Sequence, residues 1–134
     1  MAQDVIKDFL LKTLHYARFE LEYARAGSDA WLGHVAFGYM LVSEFRPNLL
    51  VELGTHWGNS YFSFCQAVRD QQLNTKCFAV DSLEGDPQAG FYDDTIFDAV
   101  SEQNAQYESF STLKRMLFDD AVSSFDDGSI DLLH

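Results

Sequence analysis

Between residues 4 and 25, Ile6, Phe9, Leu10, Thr13, Leu14, Ala17, Leu21 and Ala24 fall on one stripe at helical spacing, while Lys7, Asp8, Lys12, Arg18 and Glu22 lie largely off it. The pattern predicts an amphipathic helix that Gly27 would stop. Asp29 is placed to cap a second helix running to about Phe45, with Trp31, Leu32, Val35, Tyr39 and Met40 as its apolar positions. Arg46-Pro47-Asn48 breaks that helix.

The period then changes. Leu49 to Leu53 is a short apolar run closed by Gly54 and reads as a buried strand. Asn59-Ser60 opens a helix to about Gln71, and Lys76 to Asp81 reads as a second strand ending in an acid. Residues 82–93 read as a loop rich in Gly, Pro and Asp, followed by a polar-faced helix from about Asp94 to Ala105. Thr112 to Phe118 is predicted as a third strand and Asp119 to Phe125 as a short helix. Asp126-Asp127-Gly128-Ser129 is a turn, and Ile130 to His134 starts a fourth strand. Strands alternating with helices call for right-handed crossovers and a parallel sheet covered on both faces, an α/β fold. No internal repeat or low-complexity segment interrupts the pattern.

The 134 residues fit one domain, and a hydrophobic share of 47% is enough to build a core. The net charge of −12 would repel nucleic acid and anionic membranes, so neither is an expected partner. That charge is uneven: residues 1–78 hold eight acids and seven bases, residues 79–134 thirteen acids and two bases. The acids of the second half read either as a solvated surface or as a cluster at one end of the sheet suited to a cationic or hydroxyl-rich ligand. No apolar run is long enough to span a bilayer, and the charged N-terminus is unlike a signal peptide. Cys65 and Cys77 therefore read as reduced thiols of a cytoplasmic protein.

Chemistry concentrates in Val51-Glu52-Leu53-Gly54-Thr55-His56-Trp57-Gly58-Asn59-Ser60, a strand, a turn and a helix start. Gly54 permits the turn, Gly58 permits close approach of a ligand to the backbone, and the helix offers free N–H groups. His56 stands where a dinucleotide fingerprint needs glycine, the His56-Trp57 pair would crowd a pyrophosphate, and Glu52 suits a cation or ammonium group. A purely structural strand–helix turn fits the same residues. Asp81, at the end of the neighbouring strand, is placed either to accept from both hydroxyls of a ribose or to cap a helix or solvate a loop. Phe118 and Asp119, at the third strand's end, would flank an adenine, or Asp119 simply caps the next helix.

His15, His34, His56 and His134 are well apart, and no zinc-type spacing exists, so no metal site is expected. His15 and His34 read as helix-surface or packing residues, and His56 as a possible ligand contact without a catalytic role. Ser60 and Ser63 lack a nucleophile-elbow context, which argues against a hydrolase. Gly90-Phe91-Tyr92 reads as a lid or as an aromatic anchor for its loop.

The runs VELGTHWGNSYFSFCQAV, CFAVDSLEGDPQAGFYDD and FSTLKRMLFDDAVSSFDDGSIDLLH resemble the front half of a class I S-adenosylmethionine-dependent methyltransferase. More narrowly they resemble the small-domain group often attached to bacterial glycosyltransferases, and more distantly the cephalosporin hydroxylase-like proteins. The resemblance covers about residues 30–134. It implies a partial Rossmann-like sheet in strand order 3-2-1-4, with a helical segment over 1–46 and the sheet domain over 47–134. It implies S-adenosyl-L-methionine as cofactor, with Glu52, Gly54, Thr55 and Gly58 lining its methionine end and Ser60 at the helix start. Asp81 would hold the ribose hydroxyls with Ser82 beside it, and Phe118 and Asp119 would border the adenine. The reaction implied is in-line methyl transfer to an oxygen or nitrogen of a small molecule, a sugar hydroxyl among the candidates.

Such domains continue past the fourth strand, so the chain is expected to be a truncated portion, inactive in transfer by itself. Its open strand edge at Ile130–His134 is expected to support a homo-oligomer. The alternative is a non-catalytic remnant of the fold, or an interaction module.

Overall fold

In the computed structural model, which describes residues 2–16, 22, 29–87 and 90–134, a four-stranded parallel sheet carries helices on both faces. The elements are α1 (Ala2–Tyr16), α2 (Val35–Phe45), β1 (Leu49–Leu53), α3 (Asn59–Asp70), β2 (Lys76–Asp81), β3 (Gly85–Asp86), β4 (Gly90–Phe91), α4 (Asp94–Asn104), β5 (Ser111–Arg115), α5 (Phe118–Ala121) and β6 (Leu132–Leu133). The sheet order is β5-β2-β1-β6, which matches the expected 3-2-1-4 once the hairpin β3–β4 is set aside.

All three pairings are parallel, with Leu50 opposite Cys77, Cys77 opposite Ser111, and Leu50 opposite Leu132. The two central strands are buried along most of their length, which is why their sequences read as continuous apolar runs. β6 is tied to β1 by Asp131, whose carboxylate accepts from the backbone N–H groups of Leu49 and Asn48 at 3.0 and 2.7 Å. Those bonds hold the Asp131 carboxyl below its ordinary range.

The principal core lies between the sheet and α2, α3 and α4. It is built on Leu50, Tyr61, Phe62, Phe64, Cys65, Cys77, Val100 and Tyr107. α3 is buried from Asn59 to Val68, so its polar members must be bonded internally. The Ser63 hydroxyl donates to the Ser60 carbonyl, and the Tyr61 hydroxyl pairs with Ser111 at 2.7 Å. The opposite face has a small cluster of Val51, Val80 and Ala121 under a short cover. Leu53, Phe118, Val122 and Leu133 remain exposed there.

Several boundaries differ from the sequence reading. The expected helix from Asp29 is a 3-10 segment over Asp29–His34 before α2 begins. The third strand stops at Arg115, because its partner β2 ends at the opposing Asp81. Phe118 therefore starts α5 and does not end a strand. The loop over 82–93 contains the hairpin β3–β4. On α1, Ile6 of the expected stripe is 59% exposed, and the expected continuation over 17–25 and stop at Gly27 lie outside the described residues, apart from Glu22. Among the described residues no helix is long and apolar enough to cross a membrane.

Candidate functional site

The carboxyl ends of β1, β2 and β5 open into a groove of about 550 Å³. One wall is Asp81, Ser82, Gly85 and Asp86, the other Met116, Leu117 and Phe118, with Gly54 between them and His56 and Tyr92 overhanging. Its volume is that of a small-ligand pocket, and its two walls differ in chemistry, acidic against apolar.

Asp81 organises the acidic side. Its Oδ2 accepts from the backbone N–H of Thr55 at 2.7 Å and of His56 at 2.9 Å, and its Oδ1 accepts from Leu83 N–H at 2.8 Å. A carboxylate offers roughly four lone-pair sites, so about one remains, on Oδ1. The same bonds hold His56 at φ +48, a left-handed conformation that a side chain adopts only when its surroundings impose it. The His56 ring stacks on Tyr92 at 5.0 Å, and burial lowers the affinity of that imidazole for a proton against the pull of Asp81. Tyr92 closes the hairpin through its N–H to the Glu84 carbonyl, so it is at once the overhang and the anchor of its loop.

Gly54 adopts φ +85 as the chain leaves β1, and a Cβ there would meet nothing nearer than the Phe118 ring at 3.9 Å. Gly58, at φ +83, precedes α3 with the Phe62 ring packed where its Cβ would be.

Behind the groove, Glu52 is wholly buried. Its Oε1 receives the Ser60 hydroxyl at 2.5 Å and His134 Nδ1 at 3.0 Å. Its Oε2 and the Thr55 hydroxyl have no hydrogen-bond partner of normal length. Burial pushes the Glu52 carboxyl above its ordinary value, against the opposing bonds of His134 and Ser60.

Of the residues expected at the site, Gly54, Asp81, Ser82 and Phe118 line the groove. Thr55, Gly58 and Ser60 are buried behind it with Glu52. Asp119 borders a second cleft, of about 460 Å³, between Val51, Leu53, Phe125, Ile130 and Leu133. Gly85, Asp86, Met116 and Leu117 line the groove without having been singled out. The Gly-Asp pair signals a turn, but nothing local says which way that turn faces. Among the described residues no group of three or more His, Cys, Asp or Glu side chains is arranged to hold a metal ion.

Residues 51–134, more than half of the chain, match the model of a methyltransferase domain family. The chain belongs to that family. This methyltransferase-family chain is also 52% identical over 106 residues to protein y4gI of Sinorhizobium fredii, covering 79% of itself and 12% of that protein. It superposes on a candidate caffeoyl-CoA O-methyltransferase from Staphylococcus aureus with a TM-score of 0.60 at 12% identity, covering 96% of itself and 59% of that chain. The S-adenosylhomocysteine-bound methyltransferase PaMTH1 of Podospora anserina superposes with a TM-score of 0.56 at 14% identity, over 91% of this chain and 48% of that one. The family chain thus spans a small part of its curated relative and about half of the similar structures. Its fold, a Rossmann-like parallel α/β sheet, is theirs.

Proposed function

We propose that this chain is the cofactor-binding portion of an S-adenosylmethionine-dependent methyltransferase that methylates a hydroxyl of a small molecule or sugar. The observation that carries the reading is the groove over β1, β2 and β5, with an acid on one wall and an apolar shelf on the other, in a member of the methyltransferase domain family. Asp81 Oδ1 would accept from a ribose hydroxyl, with Ser82 beside it, and Met116, Leu117 and Phe118 would pack against an adenine. Gly54 keeps the backbone free of a side chain where the two meet. A cationic ligand is favoured by the surplus of acids in residues 79–134. S-adenosylmethionine, bound there, supplies an electrophilic methyl group for in-line displacement. The chain's part is to hold it in place and keep its orientation, which is where most of the acceleration in such reactions arises. The hydroxyl acceptor is supported by the O-methyltransferase named among the similar structures and by the resemblance to the glycosyltransferase-linked group. The buried, unpaired Cys65 and Cys77 suit a reducing, cytoplasmic setting.

Calorimetry tests this reading. Saturable binding of S-adenosylmethionine and S-adenosylhomocysteine is expected. A folded chain giving no heat at high micromolar ligand would instead favour a remnant of the fold, or an interaction module.

The partner we propose is a second copy, joined along the outer edge of β6. Asp131 and His134 spend their backbone groups on β1, and Leu133 on that strand is 58% exposed. Light scattering should return the mass of two chains, falling to one in Leu133→Lys. A single-chain mass at high concentration of the unaltered chain counts against this pairing.

A further inference from the structure

The order β5-β2-β1-β6 means that the chain leaves β1 toward one side of the sheet and later returns to the other. The crevice between the carboxyl ends of β1 and β6 is thus a topological switch point, where parallel α/β sheets bind ligands. Two ionisable groups meet there. The backbone of His134 pairs with β1, its N–H donating to Val51 and its carbonyl accepting from Leu53. Its side chain reaches Glu52, Nδ1 to Oε1 at 3.0 Å. The ring stands edge-on to Trp31 at 4.8 Å and Phe64 at 5.5 Å, and 37% of the side chain is exposed. Nε2 has no partner among the described residues.

A structural pair would satisfy this geometry only in part. Burying a carboxylate costs several kcal/mol even after relaxation, and the cost is offset when its oxygens are bonded. Here one oxygen carries both bonds and the other, Oε2, has none. A glutamine or an apolar side chain would fill the same space at lower cost. A carboxylate is needed if a positive charge must form on the imidazole.

We propose that Glu52 and His134 form an acid–base dyad at this switch point, in which His134 accepts the proton of a hydroxyl-bearing methyl acceptor. The inference rests on the methyl-transfer reading above and assigns its base. With Nδ1–H donated to Glu52, the Nε2 lone pair faces outward as the proton acceptor. As the acceptor O–H bond breaks, its proton passes to Nε2. The oxygen's electron pair forms the bond to the methyl carbon, and the pair of the broken carbon–sulfur bond stays on sulfur. The resulting imidazolium is balanced by Glu52, which positions the ring and stabilises its charged form. The bond to Glu52 already raises the proton affinity of His134. The other ionisable groups facing the dyad are few: Tyr61 on α3, kept protonated by burial, and His34 beyond Trp31.

The test uses the full chain, with circular dichroism to verify that His134→Gln and Glu52→Gln fold. Catechol and methyl α-glucoside serve as phenolic and sugar-hydroxyl acceptors of a radiolabelled methyl group. His134→Gln should bind S-adenosylhomocysteine as the unaltered chain does. It should lose transfer by about 10²-fold or more and lose the alkaline-rising limb of the pH–rate profile. Without any cofactor, the His134 ring followed by NMR should titrate above the usual histidine range and move down in Glu52→Gln. An unchanged pH–rate profile in His134→Gln, or a His134 titration indifferent to Glu52→Gln, would overturn the dyad. So would a chain that binds S-adenosylhomocysteine yet methylates neither acceptor. Failure to bind S-adenosylhomocysteine at all overturns the cofactor reading itself, and this inference falls with it.

Discussion

Asp81→Ala is expected to abolish measurable S-adenosylmethionine binding and to destabilise the fold by about 2–4 kcal/mol, since hydrogen bonds to charged groups contribute about 1.5–3 kcal/mol each and are not additive. Three backbone N–H groups, of Thr55, His56 and Leu83, would lose their acceptor together. The lower end of the sum applies because Asp81 is only half-buried and water can replace part of what is lost. The loop after β1 would relax with it, as the bond to its N–H is one of the contacts that keep His56 at positive φ. Asp81→Asn separates the two effects. The amide oxygen keeps one bond or two, so stability should fall less, while loss of the charge should still weaken binding by roughly tenfold to a hundredfold, about 1.4–2.7 kcal/mol. Urea unfolding and calorimetry on the two variants read stability and affinity independently. An Asp81→Ala chain that binds as tightly as the unaltered one removes Asp81 from the site.

Gly58→Ala should be the more costly of the loop glycine substitutions, about 2–4 kcal/mol, from a left-handed backbone conformation at ~1–2 kcal/mol and overpacking at ~1–3 kcal/mol. Its Cβ would overlap the Cδ2 and Cε2 atoms of Phe62. That ring is fully buried and stacked on Tyr107 at 5.9 Å, so it cannot swing aside without opening the core. Gly54 has nearly the same φ, but the nearest atom to its Cβ would be the exposed Phe118 ring at 3.9 Å. Gly54→Ala should therefore cost only the conformational part, about 1–2 kcal/mol. The order should reverse for ligand binding, because Gly54 lines the groove and Gly58 does not. Equal unfolding midpoints for the two variants would contradict the packing at Phe62.

The strands and their order were legible because their signals are local. A run such as Leu49–Leu53 ended by Gly54 needs no distant residue to be recognised, and alternation with helices then leaves few topologies. The nucleotide-type loop and Asp81 were legible for the same reason, as a turn and a strand-end acid are defined within a few residues. The end of β5 was not, since it is set by where its partner β2 ends. Neither was the hairpin β3–β4, whose two-residue strands are too short to carry a period.

Residue types and their spacing determined by themselves that this chain makes a parallel α/β sheet with a glycine turn after its first strand and an acid after its second. Only the tertiary structure decided what those acids face. Asp81 spends about three of its four acceptor sites on the backbone that shapes the groove. Asp119 turns to another cleft, and Glu52, expected against the ligand, lies wholly buried in contact with His134, 82 residues away. Chain pattern reports which face of a strand or helix is apolar. Which charge is desolvated, and by what partner, depends on contacts between residues far apart in sequence, and those exist only once the sheet has closed.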